Sequence, residues 1–194
     1  MNRVLTCSVL LLGQLAGAGE DDPSAGDVPS PAIRDLTVRA LDGELRVSFR
    51  VDGAFSQDTL DRLESGIPVT FRHRVEVLSR RPVPLLPSRV LGRTTVEATA
   101  RYDSLTRQYS VLRRTEREEP EDSALTLEET MLTTASLSEM ESWMASVQDV
   151  PLQGVTPATS DRKLRVKVKT VLGRRYRFLF PTSYSAAAEQ SLDR

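Results

Sequence analysis

The sequence predicts a β-rich α+β domain, a mostly antiparallel curved sheet or sandwich of about six or seven strands with two or three short helices. Three observations point there. Apolar and polar residues alternate over much of the chain from Ile33 onward, which is the period of half-buried strands. The alternating stretches come in pairs joined by turn residues, Asp42-Gly43 and Asp103-Ser104, as hairpins require. One set of positions in each stretch is polar, whereas parallel strands buried on both faces would read as continuous apolar runs.

In chain order, Asn2 and Arg3 precede an apolar stretch from Val4 to Leu15 and the small residues Ala16-Gly17-Ala18. This has the form of a secretory signal peptide cleaved after Ala18, its apolar part being too short to span a bilayer about 30 Å thick. Residues 19–31 are rich in Glu, Asp, Ser, Gly and Pro and read as a flexible leader. A single domain is expected over 32–181, with a loose tail at 182–194.

Within the domain, Leu36, Val38 and Ala40 and then Leu45, Val47, Phe49 and Val51 form the two arms of the first hairpin. Ser56 is placed to cap a short helix carrying Leu60 and Leu63, and Gly66 to end it. Pro68 opens a long strand with Val69, Phe71, His73, Val75 and Val77 on its apolar face. Three prolines between Arg81 and Gly92 predict a loop or edge crossing there. The second hairpin carries Thr94, Val96, Ala98, Ala100 and Tyr102 on one arm and Gln108 to Arg114 on the other. Glu118 to Ala124 reads as an acidic linker.

Thr126 with Glu129, and Ser136 with Glu139, have capping-box spacing, so two short helices or one kinked helix are expected up to about Val147. Their buried stripe would be Met140, Trp143, Met144 and Val147. After a loop from Pro151 to Ser160, Leu164, Val166 and Val168 alternate with Arg165, Lys167 and Lys169, and a last apolar stretch from Tyr176 stops at Pro181.

The chain has one Cys and one His among 194 residues. That supply cannot build an all-protein zinc site, a disulfide framework or an iron–sulfur cluster, so no metal and no cofactor are expected. Cys7 lies inside the presumed signal, so the exported chain would depend on its core alone. No nucleophile-elbow, phosphate-loop or dinucleotide motif occurs. His73 falls on an apolar strand face and reads as a packed histidine. Glu76 and Glu97 lie on polar faces, where an Arg-paired carboxylate is the ordinary state. The expectation is therefore a non-enzyme, with a carboxylate-based hydrolase as a remote alternative.

Two segments carry a resemblance. Leu63-Glu64-Ser65-Gly66-Ile67-Pro68-Val69-Thr70-Phe71 and Tyr102-Asp103-Ser104-Leu105-Thr106-Arg107-Gln108-Tyr109 resemble the pattern of a domain-of-unknown-function family of small exported bacterial proteins. The resemblance covers roughly Ile33 to Phe180. It implies export and a β-rich fold, and brings no assigned activity.

Charge order says more than the net charge of −1. From Glu118 to Asp149 there are nine acids and no base, and from Asp161 to Arg177 eight bases and one acid. Strand alternation places Arg165, Lys167 and Lys169 on one face. Arg72 and Arg74 are expected to join them in a basic stripe, with Arg46, Arg50 and Arg101 as further candidates. Such a stripe either guards the sheet from edge pairing or binds anions, and in an exported protein the partner would be an envelope protein or an anionic membrane surface. The acidic segment shielding the basic strand is a third expectation. Nucleic acid is not expected, because no aromatic residues interleave with the bases. The reading that results is a periplasmic or extracellular interaction protein working through a basic sheet face, with a β-rich carrier of an apolar ligand or lipid as the alternative.

Overall fold

The computed structural model describes residues 30–41, 44–79, 88–118, 125–152, 164–177 and 180–192. The expected signal, residues 19–29 of the expected leader, the Asp42-Gly43 turn, and most of the three expected loops lie outside the described residues. Among the described residues there are nine strands: β1 Ala32–Leu41, β2 Glu44–Asp52, β3 Val69–Ser79, β4 Arg89–Asp103, β5 Gln108–Glu118, β6 Leu125–Thr134, β7 Ser146–Leu152, β8 Leu164–Arg177 and β9 Phe180–Leu192. Two helices accompany them, α1 Gln57–Glu64 and α2 Leu137–Ala145.

The strands form a six-stranded sheet in the order β6-β5-β4-β3-β8-β9 and a three-stranded sheet in the order β1-β2-β7. Every pairing is antiparallel. Because side chains alternate across a pleat, each long strand contributes one apolar face. Val47 and Phe49 of β2, Phe71, Val75 and Val77 of β3, Val96 of β4, Val147 and Leu152 of β7, and Val166 and Val168 of β8 belong to one buried cluster. The small sheet lies over the large one, and burial of this shared face is the main stabilising term.

The helices close the structure by local chemistry. The Ser56 hydroxyl accepts from the Thr59 N–H at the start of α1, and the Ser136 hydroxyl accepts from the Glu139 N–H at the start of α2. At the end of α1, Ile67 N–H donates to the Arg62 carbonyl at 3.0 Å and Gly66 N–H to the Leu63 carbonyl at 2.9 Å. This paired return needs a left-handed residue, and Gly66 has φ +79°. A Cβ there would stand 4.0 Å from the Tyr102 carbonyl oxygen, so space is not the constraint and backbone strain is. Gly66→Ala is expected to lower stability by about 1–2 kcal/mol, read as a shift in urea midpoint with unchanged slope.

The second resemblance segment is also a turn. Asp103 Oδ1 accepts from the Leu105 N–H at 2.9 Å, and this bond is the main cause holding the Asp103 carboxyl below its ordinary range. Arg107 takes φ 54°, and Tyr102 and Tyr109 face each other across the hairpin with ring centroids 4.8 Å apart.

The structure has nine strands among the described residues where about six or seven are expected, because β6 and β9 are not expected as strands and β7 is expected as helix and loop, and it corrects four further expectations. Leu125–Thr134, expected to be helical from its Thr126/Glu129 spacing, is strand β6 in unbroken register with β5. Its residues also alternate, its threonines favour strands, and in a strand Thr126 and Glu129 point to opposite faces, so no capping box forms. Helix α2 stops at Ala145, and Val147 is buried from β7 rather than from the helix. Asp149 at φ 48° shifts the phase of β7, so its buried Val147 and Val150 mimic a helical spacing. The tail expected to be loose is strand β9, paired with β8 along its length. Its Ser and Ala side chains carry no alternation, since backbone hydrogen bonds hold it. Finally, three strands stand between β6 and β8, so the acidic residues of β6 do not shield it.

Candidate functional site

The outer face of the large sheet carries the charges singled out from the sequence, arranged in rows that cross the strands. One row runs Glu118, Arg93, Glu76, Lys167, Glu189 across β5, β4, β3, β8 and β9. Another runs Glu129, Arg114, Glu97, Arg72 across β6, β5, β4 and β3. Both alternate in sign, which stabilises directly opposed pairs. The contacts are close: Arg93 to Glu76 at 3.0 Å and to Glu118 at 3.0 Å, Arg72 to Glu97 at 2.6 Å, Arg114 to Glu129 at 2.7 Å. Burial works against the charge of the Arg93 guanidinium, but its bonds to Glu76 and Glu118 together outweigh this and raise it above its ordinary value, and the bond to Glu129 raises Arg114.

The row between these two breaks the rule. It runs Glu116, Thr95, Arg74, Lys169, Ala187 across β5, β4, β3, β8 and β9. Arg74 and Lys169 are both exposed and directly opposed. Two like charges across a strand pair disfavour the pairing, and neither forms an ion pair among the described residues. Lys167, two residues before Lys169 on the same face, is also exposed and forms none.

Of the five residues expected to form the basic stripe, the structure therefore divides two from three. Arg72 is bound by Glu97, and Arg165 by Glu189 at 2.7 Å. Arg74, Lys167 and Lys169 form a cluster on adjacent strands. Arg46 and Arg50 do not join it, because β2 belongs to the other sheet, where Arg50 pairs with Asp52 at 3.0 Å. Arg101 shares the outer face but lies beyond Thr99 and Glu97 on β4, away from Arg74. An arrangement of two opposed cations and a third along the strand suits a multiply charged oxyanion, which donors from separate strands would grip from two sides.

Other chemistry-bearing residues are occupied structurally. His73 is fully buried, with Nδ1 3.0 Å from the Thr170 hydroxyl and Nε2 3.1 Å from the Met144 carbonyl. A carbonyl only accepts, so Nε2 carries the proton and Nδ1 accepts from Thr170. Burial is the main cause lowering its pKa from 6.5 to about 4, opposed by the Met144 bond and aided by the charge of Arg113. Glu76 and Glu97 are held by Arg93 and Arg72, as Arg-paired carboxylates. No group of three or more metal-ligating side chains occurs among the described residues. Beside α1, an open cleft of about 380 Å³ is lined by Thr59, Arg62, Val69, Thr70, Leu172 and Gly173.

Sequence comparison adds the family. The model of a domain of unknown function, DUF4390, matches residues 29–175. The chain belongs to the DUF4390 family. The match begins just before β1 and ends within β8, so it takes in Arg74, Lys167 and Lys169, while β9 lies beyond it. Both resemblance segments lie within the matched residues and fall on turns at one end of the sandwich, where Gly66 approaches the Tyr102 carbonyl. No curated protein and no solved structure matches the chain.

Proposed function

We propose that this DUF4390 protein is an exported, non-enzymatic interaction protein of the cell envelope that contacts an anionic partner through Arg74, Lys167 and Lys169. The observation that carries the reading is the directly opposed Arg74 and Lys169, on a face whose neighbouring rows alternate in sign. Opposed cations without a carboxylate lose stability in the free protein and regain it when an anion lies between them. The N-terminal 18 residues motivate the compartment, and an anionic lipid surface or an acidic envelope protein supplies the charge.

Each Lys or Arg near an anionic membrane contributes about 1 kcal/mol. Reversing all three charges, as Arg74→Glu, Lys167→Glu and Lys169→Glu together, is expected to weaken binding to vesicles of phosphatidylglycerol and phosphatidylethanolamine at least a hundredfold, since about 3 kcal/mol is removed. Vesicle co-sedimentation measures this, with pure phosphatidylcholine as the uncharged control. An acidic protein partner would instead show as a cross-link in the native envelope that the triple variant loses. Unchanged vesicle binding together with unchanged cross-linking rejects the basic-face reading.

A further inference from the structure

Among the described residues the two sheets have four edge strands: β6 and β9, β1 and β7. Exposed edges invite pairing with other chains, and proteins blunt them with bulges, prolines and charges. Three of these edges are blunted. β1 is bulged between Arg34 and Thr37, with Asp35 at φ 53°. β7 contains Pro151 and is bent at Asp149. β9 contains Pro181 and pairs across a bulge between Val171 and Gly173.

β6 is different. It pairs with β5 at ten successive positions with no shift and contains no Gly, Pro or Lys. Its outer edge meets no strand among the described residues. On the outer face it exposes Leu127 (52%) and Met131 (68%), with Leu112 of β5 directly opposite Met131. Of its two glutamates, Glu128 is tied to Arg117 at 2.6 Å, and Glu129 is held in place by Arg114 through one carboxylate oxygen.

Charge identifies the occupant. The alternating row Arg72, Glu97, Arg114, Glu129 ends on a carboxylate, so the next strand continues it with a cation. Both Arg114 hydrogen bonds, at 2.9 and 2.7 Å, go to Glu129 Oε1, and Oε2 has no partner among the described residues. Two residues on either side, Leu127 and Met131 call for apolar partners. A second copy of β6 does not meet these demands: a dyad at Glu129 sets carboxylate against carboxylate, and a dyad at Glu128 or Thr130 sets Glu129 against Leu127 or Met131.

We infer that β6 is a strand-addition site for an extended segment of a partner protein with the pattern apolar–x–Lys/Arg–x–apolar, hydrogen-bonded along the free edge of the large sheet. The site is separate from the Arg74–Lys169 row and stands or falls independently of it.

Two fluorescein-labelled peptides test this against the purified chain, expressed with its own first 18 residues. One has the sequence STLTKTLTS, and the other has Glu in place of the central Lys. The Lys peptide is expected to bind at least tenfold more tightly by fluorescence anisotropy, and to slow amide hydrogen exchange along β6. Glu129→Lys is expected to invert the preference in favour of the Glu peptide. Met131→Lys, which leaves the Glu129 carboxylate in place, is expected to weaken the Lys peptide without inverting the preference. Absence of binding, equal affinity for the two peptides, or slowed exchange elsewhere than β6 overturns the inference. So does a dimer of the free chain that Met131→Lys dissolves, since the occupant would then be a second copy.

Discussion

Lowering the pH from 7 to 5 is expected to cost about 2 kcal/mol of stability through His73 alone, rising to about 3 kcal/mol at pH 4. In the folded chain the imidazole is neutral down to about pH 4, because it is sealed beneath both sheets with Nε2–H committed to the Met144 carbonyl and Nδ1 to Thr170. In the unfolded chain it titrates near 6.5. Between those values the unfolded state binds more protons, so stability falls as pH falls through the window and loses nothing further from this group below it. Urea unfolding at pH 7, 6 and 5 measures the slope, and His73→Gln is expected to flatten it. A wild-type and variant pair with the same slope would show that His73 does not titrate as its burial requires.

Arg113→Met is expected to destabilise the protein by about 3 kcal/mol, combining the loss of charge-assisted hydrogen bonds and a cation–π contact. Its guanidinium lies over the Trp143 ring, 4.1 Å from the ring centre, and donates to the Trp143 carbonyl and, at 2.9 Å, to that of Ser146. Helix α2 has no basic residue in its last turn, so β5 supplies from across the layer the positive charge that a helix C-terminus favours. Burial lowers the Arg113 pKa, and carbonyl oxygens with an aromatic face take the place of a carboxylate partner. Methionine keeps much of the apolar stem, so the loss reports the head group. Because the charge of Arg113 also depresses the His73 pKa, the variant is expected to titrate His73 at higher pH in imidazole proton NMR. Arg113→Lys, which keeps the charge without the planar fork, is expected to recover the titration more fully than the stability.

The parts of the fold legible in the sequence are those where one residue decides the local outcome. Ser56, Gly66, Ser136 and Asp103 act through their own side chain or backbone, and each does in the structure what its position predicts. Strands with a buried face, such as β3, print alternation directly. β9 does not, because what makes it a strand is a neighbour's backbone, which its own side chains do not encode, and in β6 the alternation coincides with a Thr126/Glu129 spacing that also suits a capping box. The candidate site was half legible for the same reason. Alternation placed Arg165, Lys167 and Lys169 on one face, but the occupancy of each cation depends on what stands opposite it.

By itself the sequence determined the class of the protein, the inward face of each main strand, the burial of His73, and membership of a family of unknown function. Only the tertiary structure decided which charges neutralise one another. Register set Arg72 against Glu97 and Arg74 against Lys169, and a shift of one residue would have turned every one of these side chains to the other face. Sheet order likewise put the acidic β6 at an edge of the described sheet rather than over the basic β8. Pairing between distant strands is a property of the whole packed chain, and it is where the proposed chemistry of this surface resides.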